Sequence, residues 1–165
     1  MNPCDPWKSI VITGRSGAAK ILKSPRKRAT ITALLSIGSP TEPPPAGFHD
    51  VARRLRVLFE DECEPARGGP VAADVEAIIA FGRALDLKTG ILLVHCQAGV
   101  SRSSAAALVV LRTILGPGTE EPLVRHLRSG YPECRPNALV LELADGILGS
   151  LLAPAWRGCD LFGRE

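Results

Sequence analysis

Apolar residues form short runs typical of strands, separated by longer stretches with helical spacing. The short runs predict four strands, at residues 9–13, 30–37, 54–59 and 91–94. In the third run, Leu55, Val57 and Phe59 alternate with arginines, which predicts a strand with one apolar face. The fourth run, which begins at Ile91, is uniformly apolar and is typical of a strand buried on both faces.

Stretches with helical spacing predict five helices, at residues 16–24, 71–87, 101–115, 120–129 and 137–148. Thr119 is expected to cap the fourth helix, and His126 to lie exposed on it. Residues 150–165 contain no pattern that indicates a function. Because strands and helices are interleaved, we predict an α/β fold, in which about four strands form a central, mainly parallel sheet with helices on both faces.

Two segments of biased composition are predicted to be exposed connections. The proline-rich segment at residues 39–47 can be neither a helix nor a central strand, because proline has no amide donor. The basic segment Pro25–Arg28 is predicted to be a solvated connection.

Composition and charge narrow the class of protein. A length of 165 residues fits one domain, and 45% hydrophobic with only 4% aromatic residues predicts a core of Ala, Leu, Val and Ile. The 20 basic residues are spread among 17 acidic ones, and the formal net charge is only +3. This charge is too small to indicate binding of nucleic acid and supports no more than a mild preference for anionic substrates.

The five cysteines are scattered along the chain, at Cys4, Cys63, Cys96, Cys134 and Cys159. They form no CxxC pair and no metal-type spacing with the three histidines, so we expect no metal site and free thiols in a reducing compartment. The N-terminus has no basic and apolar leader, and no apolar run approaches 18 residues. We therefore expect a cytoplasmic protein that does not bind a membrane.

The stretch that follows the fourth predicted strand has the residue types of an anion-binding turn beside a nucleophile. Gly99 permits a sharp turn with close approach of a ligand to the backbone. Successive amides and the positive end of the next helix would then point at one place. Arg102 can add a planar pair of donors for phosphate oxygens. In this positive field the pKa of the Cys96 thiol is expected to fall below its free value of about 8.5, which produces a thiolate at neutral pH.

The sequence His95-Cys96, five residues, Arg102-Ser103 is the signature of the cysteine-dependent protein tyrosine phosphatases. The chain resembles their dual-specificity branch, especially its small bacterial members, over about residues 8–149. The resemblance implies that Cys96 is the nucleophile, that Ser103 helps the thiolate to leave and that His95 supports the geometry of the turn. It also implies that the substrate phosphate is bound by Arg102 and by Gln97, Ala98, Gly99, Val100 and Ser101. No metal or other cofactor is implied.

The resemblance also indicates a general acid. In the family this is an aspartate on the loop after the strand that precedes the long helix, some thirty residues before the nucleophile. Asp61 lies 35 residues before Cys96 and follows an aromatic residue and a glutamate, as in the bacterial enzymes. We therefore predict Asp61, while Glu60, Glu62 and Glu64 stay open as alternatives.

The implied activity is hydrolysis of phosphate monoesters through a cysteinyl-phosphate intermediate. Substrates would be proteins with phosphotyrosine, and also phosphoserine or phosphothreonine, or small phosphate esters, and the protein would act as a monomer. Gln97, Ala98 and Val100 are neutral where phosphoinositide-specific relatives have lysines, which favours phosphoproteins. One alternative is a phosphate-binding module without turnover. Another is a rhodanese-like sulfurtransferase, although the five-residue gap to Arg102 and Ser103 argues against it.

Overall fold

A parallel four-stranded sheet forms the centre of the fold. The computed structural model describes residues 6–88 and 90–161. Within them the strands are β1 (Ile10–Gly14), β2 (Ile31–Gly38), β3 (Arg53–Leu58) and β4 (Ile91–Cys96). The strands lie in the order β1-β4-β2-β3, and every neighbouring pair is parallel. The predicted central parallel sheet is confirmed.

Helices flank the sheet in the described part of the chain. They are α1 (Arg15–Lys23), α2 (Pro25–Arg28), α3 (Ala72–Arg83), α4 (Arg102–Leu115), α5 (Glu120–Gly130), α6 (Ala138–Leu148) and α7 (Leu152–Leu161). The segment predicted as a solvated connection is thus the short helix α2. Among the described helices, none combines the length and the apolar character that a membrane crossing requires.

The two faces of the sheet are covered unequally. On one face Leu35 and Leu92 belong to the large core formed with α3 to α7. On the other face Leu34 and Leu93 pack against Leu22 of α1 in a smaller cluster. Because alternate residues of a strand point to opposite faces, β2 and β4 carry apolar side chains on both sides. Helices on both faces are therefore confirmed.

Helix α4 follows β4 directly and is the most enclosed helix. Every residue from Arg102 to Arg112 is buried. The helix contacts β1, β4, α3, α5 and α6, and three successive alanines, Ala105 to Ala107, let it approach its neighbours closely. The position of its first turn relative to β4 is therefore determined by packing on all sides.

Helix α3 ends at Arg83, four residues before the end that the spacing predicted. The N–H of Ala84 bonds to the carbonyl of Phe81, so the last turn tightens and the chain leaves the helix. Leu85 and Leu87 still pack against the core from the following loop. Their burial explains why the apolar spacing continued beyond the helix.

Helix α7 is an element that the sequence pattern did not indicate. Its first backbone N–H groups, those of Leu152 and Ala153, donate to the carboxylate of Asp145 at 2.8 and 2.9 Å. Asp145 lies in α6, seven residues before the start of α7. Capping residues normally stand directly before the helix that they cap, so the local sequence of α7 does not indicate this cap. The ring of Trp156 also packs 4.0 Å from the guanidinium carbon of Arg128 on α5.

Thr119 stands at the N-cap position of α5, as predicted, and its carbonyl accepts the N–H of Leu123 at 3.0 Å. Its side chain does not cap the helix, because the hydroxyl donates to the carbonyl of Gly116 at 2.8 Å. The prediction that His126 is exposed is wrong. His126 is half-buried, and its ring stacks on Trp7 with 4.8 Å between the ring centres. The stacking partner comes from the N-terminal segment, so the local pattern of α5 contains no sign of it.

A row of polar residues crosses the sheet near its carboxyl edge. Thr13, His95, Ser36 and Arg56 are aligned in register across β1, β4, β2 and β3. His95 is 1% exposed, and its Nδ1 lies 3.3 Å from the carbonyl oxygen of Cys96. Desolvation by burial lowers the pKa of His95 to about 4, so the ring is neutral at pH 7.

We expect the burial of neutral His95 to make the stability depend on pH. Its folded pKa of about 4 lies below the ordinary value of 6.5, so its contribution is complete above pH 6.5 and is lost as the pH falls toward 4. Between pH 7 and 4.5, the free energy of unfolding should fall by about 2 kcal/mol more in the natural protein than in His95→Gln, which cannot titrate there. Urea unfolding at both pH values measures the difference. An equal fall in both proteins would contradict this role of His95.

Candidate active site

The turn between β4 and α4 places the predicted nucleophile at the carboxyl edge of the sheet. β4 extends through His95 and Cys96, two residues beyond the predicted end of this strand. Gly99 has a positive φ of 79°, and a Cβ atom there would lie 2.4 Å from the backbone nitrogen of Gly14. Only glycine allows the turn to pass this close to the end of β1.

The sulfur of Cys96 lies inside this turn. Cys96 is 2% exposed, and its Sγ accepts the backbone N–H of Gly99 at 3.2 Å. The hydroxyl oxygen of Ser103, in the first turn of α4, lies 3.2 Å from the same sulfur. The backbone N–H of Gly99 donates to the sulfur, and the Ser103 hydroxyl is also within hydrogen-bond distance of it, which is an arrangement suited to a thiolate.

Arg102 is held at the base of the site. It is 5% exposed, and its Nη1 donates to the carbonyl of Phe59 at 2.8 Å, directly after β3. Its buried Nε has no hydrogen-bond partner among the described residues. The guanidinium is thus oriented by one backbone contact and retains a donor that an anion could use.

Asp61 reaches the same turn from the loop after β3. Its Oδ1 accepts hydrogen bonds from the hydroxyl of Ser101 at 2.6 Å and from the side-chain amide of Asn137 at 3.0 Å. Glu60 instead accepts from the hydroxyl of Ser39, and Glu62 forms an ion pair with Arg67 at 3.5 Å, while Glu64 is exposed. In the described part of the chain, Asp61 alone among these four acids bonds through its carboxylate to the Cys96 turn.

Asn137 is a site residue that no sequence pattern indicates. Its side-chain oxygen accepts the N–H of Val140 and caps α6, while its amide donates to Asp61 and to the carbonyl of Glu62 at 3.2 Å. An asparagine before an apolar helix is a sign of a cap. The second contact, to a loop 76 residues earlier, follows only from the tertiary structure.

Residues 134–137 also hold the outer side of the turn. The backbone N–H of Arg135 donates to Val100 at 3.0 Å, and that of Asn137 donates to Ser101 at 3.2 Å. The thiol of Cys134 donates to the carbonyl of Gly99 at 3.7 Å. Burial raises the pKa of Cys134 to about 11, so this group keeps the proton that it donates. Three successive carbonyls are thereby directed away from the Cys96 sulfur.

All of the predicted site residues lie at this edge of the sheet. Gln97 and Ala98 are exposed at the rim, and the carbonyl of Gln97 accepts the N–H of Arg15 at 3.1 Å. Gly99, Val100 and Ser101 are half-buried. His95 lies beneath the turn as a neutral ring, so the positive charge near the sulfur comes from Arg102 and the start of α4.

Comparison with known proteins gives a match in structure but not in sequence. No family model and no curated protein matches the chain. The structure of DUSP15 matches with a TM-score of 0.64 and 20% identity, over 93% of this chain and 91% of that one. The human tyrosine phosphatase-like serine/threonine/tyrosine-interacting protein matches with a TM-score of 0.67 and 20% identity, over 87% and 93%. A mouse putative dual specificity phosphatase matches with a TM-score of 0.59 and 25% identity, over 90% and 87%.

The shared feature of these matches is the arrangement of the whole chain. Each alignment covers more than four fifths of both proteins. At these identities the likeness concerns the fold, and the motif at Cys96 and Arg102 agrees with it. The chain therefore has the fold of the dual-specificity phosphatases.

Proposed function

We propose that this protein hydrolyses phosphate monoesters in phosphoproteins, with Cys96 as the nucleophile. The observation that carries the proposal is the position of the Cys96 sulfur, which accepts an N–H from Gly99 inside a turn to which Asp61 is also bonded. A nucleophile, anion-binding donors and an acid are thus provided at one end of the sheet.

The first step transfers the phosphoryl group to sulfur. The Cys96 thiolate attacks phosphorus in line, and the bond from phosphorus to the leaving oxygen breaks. The turn amides and Arg102 stabilise the equatorial oxygens as charge spreads over them. Asp61, protonated, gives its proton to the departing alcohol or phenol. The products are the free alcohol and a cysteinyl phosphate.

The second step releases phosphate. A water molecule attacks the phosphorus atom, and the Asp61 carboxylate takes a proton from it. The phosphorus–sulfur bond breaks, and its electron pair returns to Cys96 as a thiolate. The Ser103 hydroxyl, 3.2 Å from the sulfur, stabilises that developing charge. His95 exchanges no proton, and its role is to support the end of β4.

The proposed substrates are phosphoproteins in the cytoplasm, chiefly those with phosphotyrosine. Gln97, Ala98 and Val100 offer no cationic side chain for further phosphates of a phosphoinositide. Cys63, Cys96, Cys134 and Cys159 are free thiols, which supports a reducing compartment. A phosphate-binding module would bind phosphate esters without hydrolysing them, so a measurement of turnover distinguishes it from a phosphatase. A sulfurtransferase would be active in a thiosulfate assay, whereas a phosphatase would not.

We expect Cys96→Ser to reduce hydrolysis of para-nitrophenyl phosphate at least about a thousandfold, because a serine hydroxyl is not ionised at neutral pH. Cys159→Ser, on α7, is the matched control and should retain activity. Urea unfolding of both variants checks that the fold is intact. Activity of Cys96→Ser equal to that of the natural protein would disprove the proposal.

We expect Asp61→Asn to lower the rate mainly for poor leaving groups, because the amide can still accept the bond from Ser101 but has no acidic proton. Hydrolysis of phenyl phosphate should fall by about a hundredfold or more, and that of para-nitrophenyl phosphate by much less. Glu62→Gln is the control. If Glu62→Gln rather than Asp61→Asn showed this dependence on the leaving group, the acid would be Glu62.

We expect a phosphotyrosine peptide to be hydrolysed at least about tenfold faster than the same peptide with phosphothreonine, because a phenolate is a better leaving group than an alkoxide. The measurement is kcat/KM for both peptides, with Cys96→Ser as the blank. A faster reaction with phosphothreonine would reassign the substrate class.

A further inference from the structure

One segment of this chain carries basic residues and no acidic ones. Residues 6–41 contain no aspartate or glutamate but include seven cations, Lys8, Arg15, Lys20, Lys23, Arg26, Lys27 and Arg28. The formal net charge of the whole chain is only +3, so the rest of the chain is net negative. The nearly balanced charge of the whole chain therefore does not reveal that residues 6–41 are strongly basic.

Four of these cations are exposed on the successive helices α1 and α2, and we call them the basic surface: Lys20, Lys23, Arg26 and Lys27. None of the four is ion-paired with a carboxylate of the described residues. Arg15 pairs with Glu42 at 3.3 Å, without the geometry of a hydrogen bond, and Arg28 pairs with Asp50 at 2.8 Å. No carboxylate of the described residues therefore neutralises the positive charge of the basic surface.

The structure around α2 holds the basic surface in a fixed place. Ser24 caps α2 by accepting the N–H of Lys27 at 3.5 Å, and the hydroxyl of Thr30 donates to the carbonyl of Lys27 at 2.7 Å. The Arg28–Asp50 pair connects α2 to the segment before β3. Cations presented on an ordered helix can bind a partner without a further entropic cost of ordering the backbone.

The basic surface begins beside the candidate active site. The N–H of Arg15, the first residue of α1, bonds to Gln97 of the turn. With a rise of 1.5 Å per residue, Lys20 and Lys23 lie roughly 8 and 12 Å along the helix from that point. An extended peptide covers this distance with about two to four residues.

The opposite side of the turn has the opposite charge. Asp61 contacts Ser101, and the same loop carries Glu60, Glu62 and Glu64. A substrate chain bound at Cys96 would therefore meet a basic side toward α1 and an acidic side toward this loop.

The character of the basic surface distinguishes among anionic partners. The large apolar side chains that are exposed in the described residues, Leu58, Val71, Leu115, Ile147 and Leu151, all lie outside α1 and α2. The surface thus lacks the apolar anchor that stable membrane attachment uses. α1 and α2 contain no aromatic residue on which a nucleic-acid base could stack. An acidic polypeptide requires neither feature.

We propose that α1 and α2 form a docking surface for an acidic segment of the phosphoprotein substrate, about two to four residues from the phosphorylated residue on one side only. The inference rests on the proposed function, because it assumes that the phosphorylated residue occupies the Cys96 turn. The docking surface would select substrates by the acidic residues near the phosphorylated residue. The turn itself has neutral side chains and does not provide this selectivity.

Binding of labelled phosphotyrosine peptides to the full chain carrying Cys96→Ser tests the docking surface without requiring turnover. Three peptides are compared. The first has an acidic tract before the phosphotyrosine, the second has the same tract after it, and the third has only neutral residues around it. Fluorescence anisotropy at low salt gives each Kd. One acidic peptide should bind at least about tenfold more tightly than the neutral one, since several exposed ion pairs contribute, and the preference should vanish at about 0.5 M salt.

Two quadruple variants decide whether the effect is local. Lys20→Gln, Lys23→Gln, Arg26→Gln and Lys27→Gln together should abolish the preference for the acidic peptide. The matched control removes the same charge from exposed cations elsewhere, with Arg83→Gln, Lys88→Gln, Arg125→Gln and Arg157→Gln, and should retain the preference.

An equal loss in both quadruple variants would show an effect of net charge and overturn the docking surface. The absence of any preference among the three peptides would also overturn it. Binding to phosphatidylserine vesicles that depends on the four cations, without a preference for an acidic peptide, would assign the surface to a membrane instead. Failure of the proposed function is recognised separately, because the natural protein would then not hydrolyse para-nitrophenyl phosphate.

Discussion

Three successive carbonyls of the β4–α4 turn are bonded to residues 134–137, and the rest of the site depends on this attachment. In a trans peptide unit the N–H points opposite to the carbonyl, so these outward bonds turn the N–H groups of Val100, Ser101 and Arg102 toward the inside of the turn. The N–H of Gly99 donates to the Cys96 sulfur on the same side. The same segment continues into Asn137, whose amide holds Asp61. The nucleophile turn and the acid loop are therefore positioned by one short piece of chain, which also begins α6.

Burial determines the charge states that surround this turn. His95 is neutral and Cys134 is a protonated thiol, each because desolvation disfavours the charged form. Arg102 is also buried, and one bond to the carbonyl of Phe59 orients its guanidinium. An anion in the turn would meet one guanidinium and a helix N-terminus in surroundings of low polarity, where such interactions are strongest.

Charge is also organised on a larger scale. α1 and α2 carry a group of unpaired cations, whereas the loop that holds Asp61 is acidic, and both adjoin the same turn. The core on the α1 face is small, so α1 exposes much of its surface and is free to carry these charges. On the other face of the sheet, α4 is enclosed on all sides and has no exposed surface from Arg102 to Arg112 that could contact a partner.

Local patterns in the chain were sufficient for the four parallel strands, most of the helices and the residues of the Cys96 turn. These features depend on neighbours within a few positions, such as apolar periodicity, a glycine at a sharp turn and the gap between Cys96 and Arg102. The contacts of Asp61 with Ser101 and Asn137, the capping of α7 by Asp145 and the stacking of His126 on Trp7 all join distant positions. Hydrogen bonds and burial between distant segments depend on how helices and sheet pack together, and only the folded chain brings those groups within reach of each other.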